Sequence, residues 1–522
     1  MNSRAKKILS LLLAVALLVV AGQVQQSLDR DRVQLGLTIG SPLQNAPPVL
    51  AFTTVALGGF RGLISNFLWI RANDLQMDDK FFEAAQLADW ITDLEPHFSQ
   101  VWVFQAWNMA YNISVKFKEN APGDYSDRWR WVQRGIELLR DRALIYNPND
   151  ALIFFQLGQF FQHKIGQNLD DGNLYYKQQW AEAMTPFFGA NGTNFENLIH
   201  PQTAEAGTNA LILREKFKID PVFAQKVDVQ YGPLDWRLPE AHAIYWCALG
   251  LERAKENPNK ATPGDFNLAQ LRRSIYQAEQ QSFRQGRIIS NPFTHRVELA
   301  PNLDIIPKAN DSYLQMYAEE TDSGQKAGYL KAHRNFLRDA IYFLYENNRM
   351  TEAAKWFQYL GDKYPDQPII ENQPDSLPKN LTLDEYAYDV VKIDIGETSQ
   401  DRVTAALMDF LQKSYLNLTI GQDERAAGYQ TLANTVYDHY RTKTKNDPRT
   451  ALPSMDDLKR AVLNQLLDTQ NGLPFNARAA LRTQLRMQPE TNAPPQTIST
   501  NAMARAVPPA STNSPATNST GR

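Results

Sequence analysis

The stretch RNFLRDAIYFLYENNRMTEAAKWFQYLGDKYP, residues 334–365, decides the fold. Leu337, Ala340, Ile341 and Leu344 recur at helical spacing, which gives a first helix one apolar face. Asn347, Asn348 and Arg349 read as a polar turn. Thr351 is placed to cap a second helix, whose apolar face is Ala353, Ala354, Phe357 and Leu360. Pro365 ends the unit, because its ring cannot continue a helix. The small residues near the start of the second helix let the pair approach closely, and Phe357 fills the gap one turn later. The spacing predicts a helical hairpin.

Working outward, the same grammar recurs. Trp246, Leu249 and Gly250 stand in a Trp-x-x-Leu-Gly pattern, and Phe154, Leu157, Gly158 and Phe161 repeat it with aromatic replacements. Leu94-Glu95-Pro96 and Tyr146-Asn147-Pro148 look like unit ends, with Ala84 upstream of the first. On these residues the chain resembles the tetratricopeptide repeat family, whose unit of about 34 residues carries Trp-x-x-Leu-Gly-x-x-Tyr, then Ala and Phe, then Pro. The departures are Arg253 in place of the tyrosine and a 52-residue interval from Pro96 to Pro148, which the loop KENAPGDYSDR (118–128) helps to lengthen.

The resemblance implies a TPR-like helical-hairpin solenoid; with the apolar N-terminal run and the Pro-, Ser-, Thr- and Asn-rich C-terminal segment, the expected fold is all-α, with irregular insertions, an N-terminal membrane helix and a disordered C-terminal tail. It also implies a concave surface that binds partner proteins. The expected layout is a signal-anchor or signal peptide at 1–28, a linker at 29–48 and the N-terminal half of the array at 49–187. An irregular insertion at 188–235 precedes the C-terminal half at 236–470. A terminal helix at 471–486 leads to the tail at 487–522. Strand signals are few: VDVQYG at 227–232 and RVELAP at 296–301, the latter inside an irregular interruption at 287–325.

Composition narrows the function. The 54 basic and 57 acidic residues leave a charge of −3, so there is no broad basic surface and nucleic acid is not an expected partner. A single cysteine, Cys247, rules out an intramolecular disulfide and a cysteine zinc site. The seven histidines show no metal-binding spacing, there is no Gly-x-Ser-x-Gly, and no cofactor is expected.

Arg4, Lys6 and Lys7 precede an apolar run from Ile8 to Gly22. A helix of that length spans roughly 22 Å, short of a hydrocarbon core of about 30 Å. An uncleaved anchor is favoured over a cleaved signal, because no compact Ala-x-Ala follows the run. Either way the basic flank stays inside and the bulk of the chain is extracytoplasmic. Residues 49–70 are apolar again, with Gly58 and Gly62 four apart. They read as the first solenoid helix packed through its glycines, ahead of a membrane-surface helix or a second span. Glycine spacing excludes a phosphate loop.

For a site, QVWVFQAWNMAYN (100–112) and Trp129 combine aromatics with amides. Trp102, Trp107, Asn108, Tyr111, Asn112 and Trp129, with Arg128 and Arg134 opposite, are the candidate groove for a partner peptide or a glycan. An aromatic core between units is the plainer reading of the same residues. The alternative function is polysaccharide processing by two of Asp170, Asp171, Asp235 and Glu240, with His163 and His242 nearby in sequence. An enzyme requires carboxylates converging about 5–10 Å apart in a closed cleft. A scaffold requires an open groove rich in amides, arginine and aromatics.

Overall fold

The computed structural model describes residues 60–189, 192–255, 266–293, 297–370, 373–395, 400–444 and 451–490, with isolated positions between 17 and 31. These residues are mostly helical. Among them the strands are β1 (Arg287–Ser290) and β2 (Val297–Ala300), antiparallel with Arg287 opposite Ala300. The fold is all-α, with that one hairpin. Two compact units divide the chain, 1–344 with 351–380 and 345–350 with 381–522.

The first unit opens with α1 (Phe60–Met77), α2 (Phe81–Leu94) and α3 (Ser99–Trp107). Leu68, Trp69 and Phe104 pack over buried Ala88, Ile91 and Val101. The glycine packing expected in this region is not seen at Gly62, where an added Cβ would meet nothing within 4 Å. Gly58 and the rest of 49–59 lie outside the described residues, as do most of Ile8–Gly22 and the tail after 490. No helix among the described residues is long and apolar enough to cross a membrane.

Helix α3, α4 (Ser126–Glu137) and α5 (Ala151–Gln159) each run on into a wider, π-helical turn, at Asn108–Ile113, Leu138–Ala143 and Phe160–Ile165. Such turns rotate every later side chain away from its 3.6-residue position. The Asp150 side chain caps α5 by accepting from the Leu152 N–H at 2.8 Å.

Residues 188–235, expected to be irregular, instead carry helices. After α6 (Asn173–Phe188) come α7 (Phe195–Ile199), α8 (Ala204–Glu215) and α9 (Pro221–Tyr231). The strand expected at 227–232 is therefore the end of a helix. Asp220 caps it and Pro221 occupies its first turn, and these start signals outweigh the β-branched Val227 and Val229. The strand expected near 296–301 is present as β2.

Helix α10 (Pro239–Lys255) is buried on nearly every side, and α5 and α11 (Phe266–Gln285) pack against it. The two motif glycines explain the first contact. A Cβ at Gly250 would lie 2.6 Å from Phe154 Cβ, and one at Gly158 would strike Cys247 Sγ. Only glycine admits this approach. Around them Phe161, Trp180, Phe188 and Trp236 surround His242, whose ring centroid lies 4.9 Å from that of Trp180.

After the β-hairpin come α12 (Ile306–Glu319), α13 (Ser323–Glu346) and α14 (Met350–Lys363). In the 334–365 stretch Leu337, Ala340, Ile341, Leu344, Ala353 and Leu360 are fully buried. Ala354 is exposed, however, and Thr351 falls inside the first turn rather than capping it. Asn348 makes the turn with φ 58°. The second unit holds α15 (Leu383–Ile395), α16 (Gln400–Thr419), α17 (Asp423–Lys443), α18 (Met455–Leu467) and α19 (Phe475–Gln484). Its core includes Leu407, Leu432, Val462 and Leu481.

Candidate functional site

Three of the aromatic–amide residues expected to line an open groove are buried: Trp102, Asn108 and Trp129. Trp102 is fully buried, its indole N–H donating to the Pro96 carbonyl at 2.8 Å and its ring stacking on Tyr146. Asn108 is fully buried too; its amide donates to the Phe81 carbonyl at 3.0 Å, and its Oδ1 accepts from Asn112. Trp129 is buried and stacks on Tyr176. These three present almost no surface to a partner. Their amide and indole groups saturate backbone that packing would otherwise strand. Trp107 remains part-exposed, stacked on Tyr111, and the Arg134 guanidinium lies 4.8 Å over the Trp131 ring.

Two of the predicted residues act instead as supports for a different cleft. The Tyr111 hydroxyl hydrogen-bonds His163 Nδ1 at 3.2 Å. Arg128 donates to the Phe117 carbonyl at 2.6 Å and pairs with Asp170 at 3.2 Å. Asp170 also accepts from Lys164 at 2.6 Å, from Tyr176 at 3.0 Å and from the Gly172 N–H at 2.9 Å. Burial alone would lift the Asp170 carboxyl. The Lys164 hydrogen bond and charge, with the Gly172 and Tyr176 bonds, outweigh burial and hold its pKa below the usual value. Burial lowers the Lys164 ammonium, and burial plus the Lys164 charge lowers the His163 imidazole. This network fixes the end of α5 and the loop that follows it.

That loop and α5 form one wall of a cleft of about 1030 Å³. Gln159, Gln162, His163, Gln167 and Asn168 come from this wall. Helix α11 supplies Arg272, Arg273, Tyr276, Gln277, Gln280, Gln281, Arg284 and Gln285, while α12 and α13 add Tyr313, Met316, Glu319 and Tyr329. Seven glutamines thus share one cavity. Gln159 Nε2 donates to Ser274 Oγ at 2.9 Å, tying the walls together. Gln285 Nε2 donates to the Gly166 carbonyl at 2.8 Å and to Glu240 Oε1 at 3.1 Å. Gln281 differs: both its amide oxygen and its nitrogen are buried without a hydrogen-bond partner. Its nitrogen lies 2.6 Å from where a Cβ on Gly166 would stand, so Gly166 leaves room for the amide.

Behind the cleft Lys177 donates to Asn168 Oδ1 at 3.0 Å and Asn173 Oδ1 at 3.1 Å. Burial lowers this ammonium and raises the Glu240 carboxyl. Arg284 pairs with Asp339 at 2.6 Å, and Arg272 approaches Glu319 at 3.9 Å. Arg273 is exposed and makes no ion pair among the described residues.

The four carboxylates weighed for catalysis are not among the cleft-lining residues. Asp170 is locked in its network, and Asp235 is held by Arg237 at 2.6 Å and 2.8 Å. Asp171 has an exposed side chain and Glu240 is buried. The carboxylates that do line the cleft are the adjacent Glu319 and Glu320, and Glu320 accepts from the Thr321 and Asp322 N–H groups. No cluster able to hold a metal ion occurs among the described residues.

The α11 glutamines were missed by sequence reading, although a signal was present. Gln277, Gln280, Gln281 and Gln285 recur at helical spacing on the face opposite Leu271, Ile275, Ala278 and Phe283. A neutral polar face reads as solvated until another wall is brought against it. No family model matches this chain, and no curated protein or solved structure matches it either.

Proposed function

We propose that this chain is a non-catalytic scaffold of tetratricopeptide-like helical hairpins, exported and held at a membrane by its N-terminal segment. It grips an extended segment of a partner protein in the glutamine cleft. One observation carries the reading: seven glutamines line a single cleft, and Gln281 has both amide atoms buried and unpartnered. A carboxamide donates and accepts at once, which is what an extended peptide backbone presents. Gln277 to Gln285 covers roughly 12 Å along the helix, the length of about three to four extended residues. Tyr276, Tyr313 and Tyr329 supply flat apolar faces for side chains, and Arg273 is open to a carboxylate. None of the four carboxylates weighed for catalysis lines the cleft, which favours this reading over polysaccharide processing by those residues.

The test is in-cell crosslinking and affinity capture of the full chain beside a Gln277→Ala, Gln280→Ala, Gln281→Ala variant. The reading expects one set of partner proteins to be captured and then lost by the variant, with its thermal unfolding unchanged. Equal capture by both forms, or capture of no protein by either, overturns it.

A further inference from the structure

Helix α1 (Phe60–Met77) has two apolar faces. One is packed, with Ala72 and Leu75 buried and Leu68 and Trp69 over the α2–α3 cluster. The other is open: Leu63 is 64% exposed, Phe67 70% and Ile70 61%. At 100° per residue these three fall within about 60° of one another, a continuous stripe rather than scattered side chains. Isolated exposed apolar residues need no explanation, but a stripe along two turns of helix marks a contact surface.

The surroundings of the stripe identify what it contacts. From Val49 to Asn73 there is no acidic residue, and the only charges are Arg61 and Arg71. Arg71 is exposed and lies beside the stripe by helical position, while Asp74 is the first acid and stands where the apolar stripe ends. An apolar face flanked by Arg71, with its first acid, Asp74, only at the end beyond Ile70, suits a bilayer surface, where the apolar groups enter the acyl boundary and arginine meets anionic headgroups. The sequence before it is apolar as well, and the run Ile8–Gly22 with its basic flank lies upstream. A tether of this kind keeps α1 at high local concentration near the membrane, so a modest stripe is sufficient to dock.

We propose that the Leu63–Phe67–Ile70 face of α1 lies in the headgroup–acyl boundary of a membrane, bringing the helical unit down onto that surface. The inference rests on the reading of Ile8–Gly22 as a membrane segment. The test uses the full chain with Phe67→Cys labelled by an environment-sensitive NBD fluorophore. Cys247 is fully buried and stays unlabelled. Leu211→Cys, at a 59% exposed position on α8, is the control, and Ile70→Cys is a second probe of the stripe.

The proteins are reconstituted into phosphatidylcholine–phosphatidylglycerol vesicles, with flotation read separately from fluorescence. The expected result is flotation of all three, with blue-shifted emission at Phe67 and Ile70 that doxyl lipids quench and iodide does not. The Leu211 label should show the reverse. Flotation with iodide-accessible labels on the stripe leaves the anchor standing and overturns the docked face. Labels shielded from both quenchers mean that protein covers the stripe, which also overturns it. A chain that does not float removes anchor and face together.

Discussion

Helix α3 with its π-helical extension, residues 99–113, and helix α11, residues 266–285, make opposite uses of similar chemistry. Both carry amides among larger side chains. In the first, aromatics draw the segment inward, and its amides are consumed by backbone groups such as the Phe81 carbonyl. In the second, small and apolar residues, with Glu279 among them, take one face while glutamines and arginines take the other, so the amides line a cavity. Conspicuous side chains mark the interior here, and plain ones line the cleft. Burial of Trp is worth several times a surface amide contact, so the aromatic helix was always the better candidate for the core.

Four substitutions break or sharpen that contrast. Trp102→Ala removes a fully buried ring and the hydrogen bond to Pro96, and should cost about 3–5 kcal/mol in a urea-unfolding experiment. A cost under about 1 kcal/mol would place the aromatic helix outside the core. Gly250→Ala thrusts a methyl group into Phe154 and toward Leu271 of α11, so overpacking should cost about 1–3 kcal/mol and lower the melting temperature. An unchanged melting temperature would show that α5, α10 and α11 do not meet as described.

The third concerns the buried face of α11. Glu279 is fully buried, and burial, with the Asp311 charge nearby, raises its pKa to about 8, against some relief from the Ser312 hydroxyl and Lys308. The folded state therefore holds this proton above the pH at which the unfolded chain releases it. The stability tied to that proton is fully present below about pH 4.5 and is lost as pH rises through about 8. Glu279→Gln cannot ionise, so its gain over the parent should grow between pH 5 and pH 8.5 by on the order of 2 kcal/mol. Parallel stability curves for the two proteins would contradict a buried Glu279.

The smallest stability effect belongs to the cleft. Gln277→Ala should change unfolding free energy by no more than about 0.5 kcal/mol while weakening partner capture. A large loss of stability would instead make α11's polar face part of the core.

Much of the fold was legible because helical periodicity is local. The hairpin at 334–365 follows from Leu337, Ile341, Leu344 and Leu360, and the glycines of the two repeat-like motifs turn out to sit where α5 and α10 touch. The VDVQYG segment was misread because β-branched residues were weighed without the Asp220–Pro221 start signal six to seven residues before Val227. The site was scarcely legible. Its walls come from residues more than a hundred positions apart, such as Gln159 and Ser274, and a π-helical turn at Phe160–Ile165 resets the face on which Gln162 and His163 emerge. Neither long-range pairing nor a π turn leaves a periodic trace in sequence.

The central claim is that the glutamine cleft, and not the aromatic helix, is the binding surface. Site-specific photocrosslinking tests it most directly, with benzoylphenylalanine placed at Gln277 in one full-length protein and at part-exposed Trp107 in another. The account predicts a discrete protein adduct from position 277 in cells and none from position 107. An adduct from position 107 with none from 277 would contradict it and return the site to the aromatic helix.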